Sequence, residues 1–132
     1  MIWWITGLSG AGKTTFAREM EKAMGRLGLV VVCLDGDVLR DGLCSDLKFS
    51  DADREENLRR ACSVAQIVSS HGIHVICSFI SPSEIGRDKA FVFLDEEPYK
   101  VVYVNAPVSV CESRDPKGLY KRGIHKIKRP KR

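Results

Sequence analysis

No stretch of this chain is apolar for long enough to span a membrane as a helix, and no two of its cysteines form a C-x-x-C pair. The first absence argues against a helical membrane protein. The five cysteines (Cys33, Cys44, Cys62, Cys77 and Cys111) are odd in number and widely spread. They read as reduced, mostly buried thiols rather than disulfides or zinc ligands. Met1 leads straight into Ile2-Trp3-Trp4-Ile5 with no basic region, so the expectation is a cytoplasmic protein without a secretory signal or a membrane partner. His71, His74 and His125 show no metal-ligand spacing. His74 lies in an apolar run and reads as a satisfied core or rim histidine. There is no internal repeat and no linker.

The charge is uneven. The formal net charge is +4, but residues 121–132 hold seven Lys/Arg and no acid, so the other 120 residues carry 14 basic against 17 acidic groups. A general nucleic-acid-binding surface is not indicated. With 132 residues, 44% of them hydrophobic, the chain can bury the core of one small domain. Residues 1–121 are assigned to that domain and 122–132 to a basic, flexible tail.

Apolar runs and helical periodicities alternate along the domain. Ile2 to Thr6, Leu29 to Leu34, Ile73 to Phe79 and Val101 to Val104 read as strands. Residues 13–27 place Phe16, Met20, Ala23/Met24 and Leu27 at helical spacing before Gly28. From Ser50, Leu58, Ala61/Cys62, Ala65 and Val68 line one helix face until Gly72. A shorter helix is expected within 83–97. This alternation predicts an α/β fold, a parallel sheet of about four strands with helices on both faces, and the glycine-rich G-x-x-x-x-G-K-T run after the first strand makes it one of P-loop NTPase type. Ligands in such sheets bind beyond the carboxyl ends of the strands.

Gly7-Leu8-Ser9-Gly10-Ala11-Gly12-Lys13-Thr14 fits G-x-x-x-x-G-K-[ST] between a strand and a helix. In that setting the backbone N–H groups of residues 7–15, Thr15 included, curl around phosphate oxygens. Lys13 reaches the β- and γ-phosphates of ATP, and the Thr14 hydroxyl ligates Mg²⁺. Asp35-Gly36-Asp37 follows the second strand. Two carboxylates two apart on an extended chain share one side. One of them then organises Mg²⁺ through water and one orients or deprotonates an acceptor hydroxyl, a solvated Asp-Gly turn being the plainer reading. Glu55, Glu56, Arg59 and Arg60 read as solvated helix surface, and Trp3-Trp4 as strand packing.

GLSGAGKTT, LDGDVLR, DLKFSDADREENLRR, FISP and RDPKGLY, in this order from Trp3 to about Lys121, resemble the adenylylsulfate kinase family. The resemblance implies transfer of the ATP γ-phosphate to the 3′-hydroxyl of adenosine 5′-phosphosulfate (APS), giving PAPS. It further implies that Asp37 is the acidic group near that hydroxyl and that Arg40 and Arg54 bind the phosphosulfate. Phe49 is matched to an aromatic that stacks on the adenine, with an ordinary core residue as the plainer reading. Asn57 is matched to an amide on the substrate, and Ile80 and Ser81 to the pocket wall, the serine being a phosphorylation site in some members. Arg114, Asp115 and Lys117 match the start of a lid over ATP.

The family's FTGID-like segment, its YE-x-P stretch and its fifth strand have no counterpart in residues 123–132, and Ser83-Glu84-Ile85-Gly86-Arg87 replaces a more basic stretch. The expectation is an intact ATP half and a partly built acceptor half, unless a homo-oligomer completes it. A related P-loop kinase for another small hydroxyl substrate and a non-catalytic ATP-binding remnant stay open as alternatives.

Overall fold

A computed structural model describes residues 1–7, 12–80 and 84–104. Its elements run β1 (Ile2–Thr6), α1 (Lys13–Arg26), β2 (Val31–Asp35), α2 (Gly36–Arg40), α3 (Asp51–Ser69), β3 (His74–Ser78), α4 (Glu84–Phe91), a 3₁₀ turn (Val92–Leu94) and β4 (Tyr99–Tyr103). The four strands form one sheet in the order β2-β3-β1-β4, and every pairing is parallel. Ser78 pairs with both Ile5 and Asp35, and Thr6 with Tyr103. All four strands therefore end at one level, and the segments after them emerge along a common edge.

Alternation along β1 divides the core into two layers. Ile2 and Trp4 face α3 and α4, packing with Val75 and Cys77 of β3 and with Leu58, Ala61, Cys62 and Ala65 of α3. Ile5 faces the other way, with Ile76, Ala17 and Met24. Helices thus cover both faces, as expected. Trp4 is fully buried. It stacks on Phe79 at 5.1 Å and meets Phe91 edge-on at 5.2 Å, so the reading of Trp3-Trp4 as strand packing holds for this residue.

Four local expectations are corrected. The buried stripe of α1 is Lys13, Ala17 and Met24, not Phe16 and Leu27, which are 44% and 77% exposed. The helix lies close to the sheet at a small residue, and size alone favours Phe16 over its neighbour Ala17 in a sequence reading. The second strand begins two residues late. Gly28, at φ 79°, turns the chain out of α1, and the Leu29 N–H still bonds to the Met24 carbonyl at 3.1 Å. The short fourth strand starts earlier than expected, at Tyr99. His74 is not satisfied: its Nδ1 is buried without a hydrogen-bond partner, as is Trp3 Nε1.

Among the described residues Cys44, Cys62 and Cys77 are buried and Cys33 is exposed, all as free thiols. Burial pushes Cys62 up to about 12 and Cys77 well above the ordinary thiol value. No described helix is long and apolar enough to cross a membrane. Cys111, His125 and the assigned tail 122–132 lie outside the described residues.

Candidate active site at the carboxyl edge of the sheet

Lys13 follows the end of β1, Asp35 closes β2 and Asp37 comes just after it along the carboxyl edge. β1 runs out at Thr6, and α1 begins at Lys13 after Gly12, whose left-handed backbone (φ 98°, ψ 19°) suits glycine alone without strain. No side chain caps α1 at Gly12, whereas Asp35 caps α2 and Ser50 caps α3. A helix start that follows a glycine turn favours an anion. Lys13 is only 7% exposed, while Thr14 and Thr15 are exposed. Leu8, Ser9, Gly10 and Ala11 lie outside the described residues.

After β2 the structure corrects the reading of the two aspartates. The chain is not extended across them: β2 ends at Asp35, and Asp37 already sits in the first turn of α2. The Asp37 N–H donates to Asp35 Oδ1 at 2.8 Å, so Asp35 is a helix cap as well as an acid at the strand end. The capped turn fixes the backbone from which the Asp37 carboxylate projects, and Asp37 remains exposed. Gly36 sits between them, where a Cβ would lie 3.1 Å from the Phe79 ring.

Beyond α2 a turn segment leads to Phe49 and α3. Phe49 is 41% exposed, which rules out the core reading. The guanidinium carbon of Arg40 lies 4.5 Å from its ring centroid, and that of Arg54 lies 6.0 Å away. Arg40 Nη1 donates to the carbonyls of Leu47 (3.3 Å) and Lys48 (3.1 Å), and Arg54 Nε donates to the Phe49 carbonyl (3.1 Å). Two cations and one aromatic face are thus gathered at one place. Burial pulls the Arg54 guanidinium below its ordinary value, opposed by the Asp51 charge and reinforced by Arg40. One turn along α3, Asn57 is buried and its Oδ1 has no hydrogen-bond partner. Such an atom calls for a donor supplied by water or a ligand. Ile80 is half-buried just past Phe79. Ser81, Arg114, Asp115 and Lys117 lie outside the described residues.

A charged network on α3 was missed by the reading of Glu56, Arg59 and Arg60 as solvated surface. Glu56 accepts from Arg59 (2.6 and 2.7 Å) and from Arg60 Nε (2.9 Å). Arg60 also reaches Asp46 through both terminal nitrogens, at 2.7 and 3.1 Å. Hydrogen bonds donated by Arg59 and Arg60 pull Glu56 down to about 2, and those that Arg60 donates to Asp46 and Glu56 raise Arg60. The i,i+3 and i,i+4 spacing of Glu56 to the arginines was available in the sequence. The Asp46 link depends on how the turn folds. Glu55 pairs with Lys89 of α4 at 3.5 Å.

No group of three or more His, Cys, Asp or Glu side chains forms a metal cage among the described residues. A hydroxyl at Thr14 and one carboxylate at Asp35 instead suit Mg²⁺, which keeps most of its waters and is held largely by substrate phosphates.

The profile of the adenylylsulphate kinase family matches residues 1–129. An Escherichia coli adenylyl-sulfate kinase is 48% identical over 122 residues, 92% of this chain and 61% of its own length. This chain therefore spans less than two thirds of that relative. The structure of a Mycobacterium tuberculosis APS kinase in complex with AMPPNP and APS is similar with TM-score 0.87 at 39% identity, covering 97% of this chain and 77% of that one. A hexameric APS kinase from Thiobacillus denitrificans is similar with TM-score 0.67 at 25% identity, over 96% of this chain and 30% of that one. The sheet, the glycine-turned start of α1 and these matches agree: the chain belongs to the adenylylsulphate kinase family.

Proposed function

We propose that this chain transfers the γ-phosphate of ATP to the 3′-hydroxyl of APS, producing PAPS. The observation that carries the reading is the exposed Phe49 ring with Arg40 and Arg54 against it, Arg40 closing the same short helix whose first turn bears Asp37. A planar aromatic with flanking guanidinium groups suits a nucleotide that joins a flat base to an anionic phosphosulfate.

In this reading the α1 N-terminus binds the ATP phosphates. Lys13 presents its ammonium to the β- and γ-phosphates, with Gly7 to Thr15 as the cradle. Thr14 and Asp35 would hold Mg²⁺, which when bound neutralises charge on the transferring phosphoryl group. Asp37 accepts the proton of the 3′-hydroxyl as its oxygen bonds to phosphorus, while ADP leaves in line. Phe49 stacks on the adenine, Arg40 and Arg54 hold the phosphosulfate, and Asn57 Oδ1 accepts a hydrogen bond from the substrate. Ile80 and Ser81 border the pocket, and Arg114 and Lys117 approach ATP. A reaction drawing on ATP fits a cytoplasmic location, and the hexameric relative makes self-assembly worth measuring alongside activity.

The test mixes protein, Mg-ATP and APS and follows ADP and PAPS, against a panel of sugar and nucleoside acceptors. APS-dependent ADP release with stoichiometric PAPS is expected. ADP release that another acceptor drives better than APS would replace the acceptor. ATP binding with no transfer to any acceptor would leave a binding remnant.

A further inference from the structure

We infer that Arg60 is a positioning residue for the acceptor side, holding the turn segment 41–48 so that Arg40 stays over the Phe49 ring; the inference rests on the acceptor reading above. Neither a helix nor a strand supports this segment. Its apolar anchorage is slight. Cys44 is fully buried and Leu47 half-buried, while Asp41, Gly42, Leu43, Ser45, Asp46 and Lys48 are exposed. A segment with so few buried contacts opens readily unless polar contacts hold it.

Backbone turns supply some of those contacts, the Cys44 N–H donating to the Leu39 carbonyl at 2.7 Å and the Leu47 N–H to the Cys44 carbonyl at 3.1 Å, and Arg60 adds side-chain contacts that tie these turns to a regular helix. Its side chain is 24% exposed, and it uses all three nitrogens. Nε donates to Glu56 at 2.9 Å, Nη1 to the Leu43 carbonyl at 3.0 Å, and both terminal nitrogens to the Asp46 carboxylate. The planar fork thus ties one point of α3 to two points of the segment, a geometry that a lysine ammonium does not reproduce. The Lys48 N–H adds a bond to Asp53 Oδ2 at 2.9 Å. The carbonyls of Leu47 and Lys48 are in turn the acceptors for Arg40 Nη1. A chain of contacts therefore runs from Arg60 through Asp46 and the segment backbone to Arg40, and so to Phe49. Arg60 itself makes no described contact with either of those two side chains.

The test compares the parent chain with Arg60→Met, Arg60→Lys and Asp46→Ala. Two readings are taken: hydrogen exchange at the Cys44 and Lys48 amides, and calorimetric affinity for APS with ADP bound, beside affinity for ADP alone. The expected result is exchange at least tenfold faster and APS affinity about tenfold weaker, with ADP affinity within about twofold. Arg60→Lys should resemble Arg60→Met rather than the parent. The Asp46 side chain is 64% exposed, so Asp46→Ala reports even if an Arg60 variant fails to fold. Unchanged exchange overturns the inference. So does faster exchange with unchanged APS affinity, or an equal loss of APS and ADP affinity. Failure of the parent to bind APS counts against the acceptor reading instead, and exchange at Cys44 and Lys48 still decides whether Arg60 holds the segment.

Discussion

The guanidinium of Arg40 lies 4.5 Å from the centroid of the Phe49 ring while its Nη1 bonds to the backbone just before that ring. The aromatic face and the cation are fixed relative to each other by seven to nine residues of chain. A substrate bearing both a base and an anion meets a preset spacing rather than two independent groups.

Phe49→Ala is expected to weaken APS binding by roughly tenfold or more, since stacking on an aromatic contributes about 1–3 kcal/mol per base. ADP affinity should not change, and the melting temperature should move little because the ring lies outside the core at 41% exposure. Phe49→Tyr should stay close to the parent. Calorimetry with APS in the presence of ADP measures the effect. Unaltered APS affinity in the alanine variant would remove the ring from the site.

Asp35 caps α2 and in the proposed reading also offers its charge to Mg²⁺, and two substitutions separate the two. Asp35→Asn keeps a good helix cap, because asparagine caps about as well as aspartate, but removes the negative charge. Asp35→Ala removes both, at a cost of about 1 kcal/mol of stability. The expected pattern is a normal melting temperature with reduced turnover for Asn, and a lowered melting temperature with reduced turnover for Ala. Full turnover in Asp35→Asn would mean that the carboxylate serves only as a cap. Asp37→Asn, in contrast, should lower turnover by about a hundredfold with ATP affinity kept.

Much of the framework around this site was legible in the sequence because the signals are local. The glycine-rich turn before Lys13 matched its motif and its strand-helix setting, and Ser50 announced the start of α3. The spacing of Leu58, Ala61, Cys62 and Ala65 named the face that the helix buries. What escaped depended on geometry between segments. Whether Asp35 and Asp37 share an extended strand turns on where β2 gives way to α2, and the chain bends between them. The pairing of Arg60 with Asp46 spans fourteen residues and exists only once the intervening turn is folded. Ala17 displaced Phe16 from the core because closeness of helix and sheet, not side-chain size, decided that contact.

Lys13→Ala should abolish most phosphoryl transfer, by a hundredfold or more, because in the proposed reading it removes the positive charge offered to the γ-phosphate. Steady-state turnover with Mg-ATP is the measurement. Activity within a few-fold of the parent would contradict the assigned role.

Glu56 makes part of the stability depend on acid. Its carboxyl is lowered from 4.5 to about 2, first by the hydrogen bonds from Arg59 and then by those from Arg60. A depressed carboxylate stabilises the fold fully above its unfolded value and loses that contribution as pH falls through its folded one. Glu56→Gln should therefore melt below the parent at pH 7, and the difference should close as pH drops from about 4.5 toward 2. The effect will be small, since the network is open to solvent. Melting curves of both proteins across pH 2–7 test it, and a gap that stays constant with pH would rule out the carboxylate as its source.

Gly36 brings core packing and the site into one test. An alanine Cβ there would sit 3.1 Å from Phe79 Cδ1, 3.6 Å from Cε1 and 3.7 Å from the Ser78 carbonyl. The first distance is tighter than ordinary packing by a few tenths of an ångström, so something must move. Phe79 has little freedom to do so, being buried and stacked on Trp4. Alanine is the better helix former by about 1 kcal/mol in a helix interior, but Gly36 is the first residue of a five-residue helix, where that gain is smaller. Overpacking typically costs about 1–3 kcal/mol, so the clash should win and Gly36→Ala should lower stability by about 1 kcal/mol. The strain can also be relieved by lifting α2 off the sheet, which would carry Asp37 with it. Turnover should then fall by more than the loss of stability explains. Trimming the ring tells the two effects apart: with Phe79→Leu in the background, itself destabilising, the added cost of Gly36→Ala should shrink toward zero. Measured melting temperatures and turnover for the two single variants and the double variant complete the cycle. Strict additivity would show that the glycine is not there to make room for the ring.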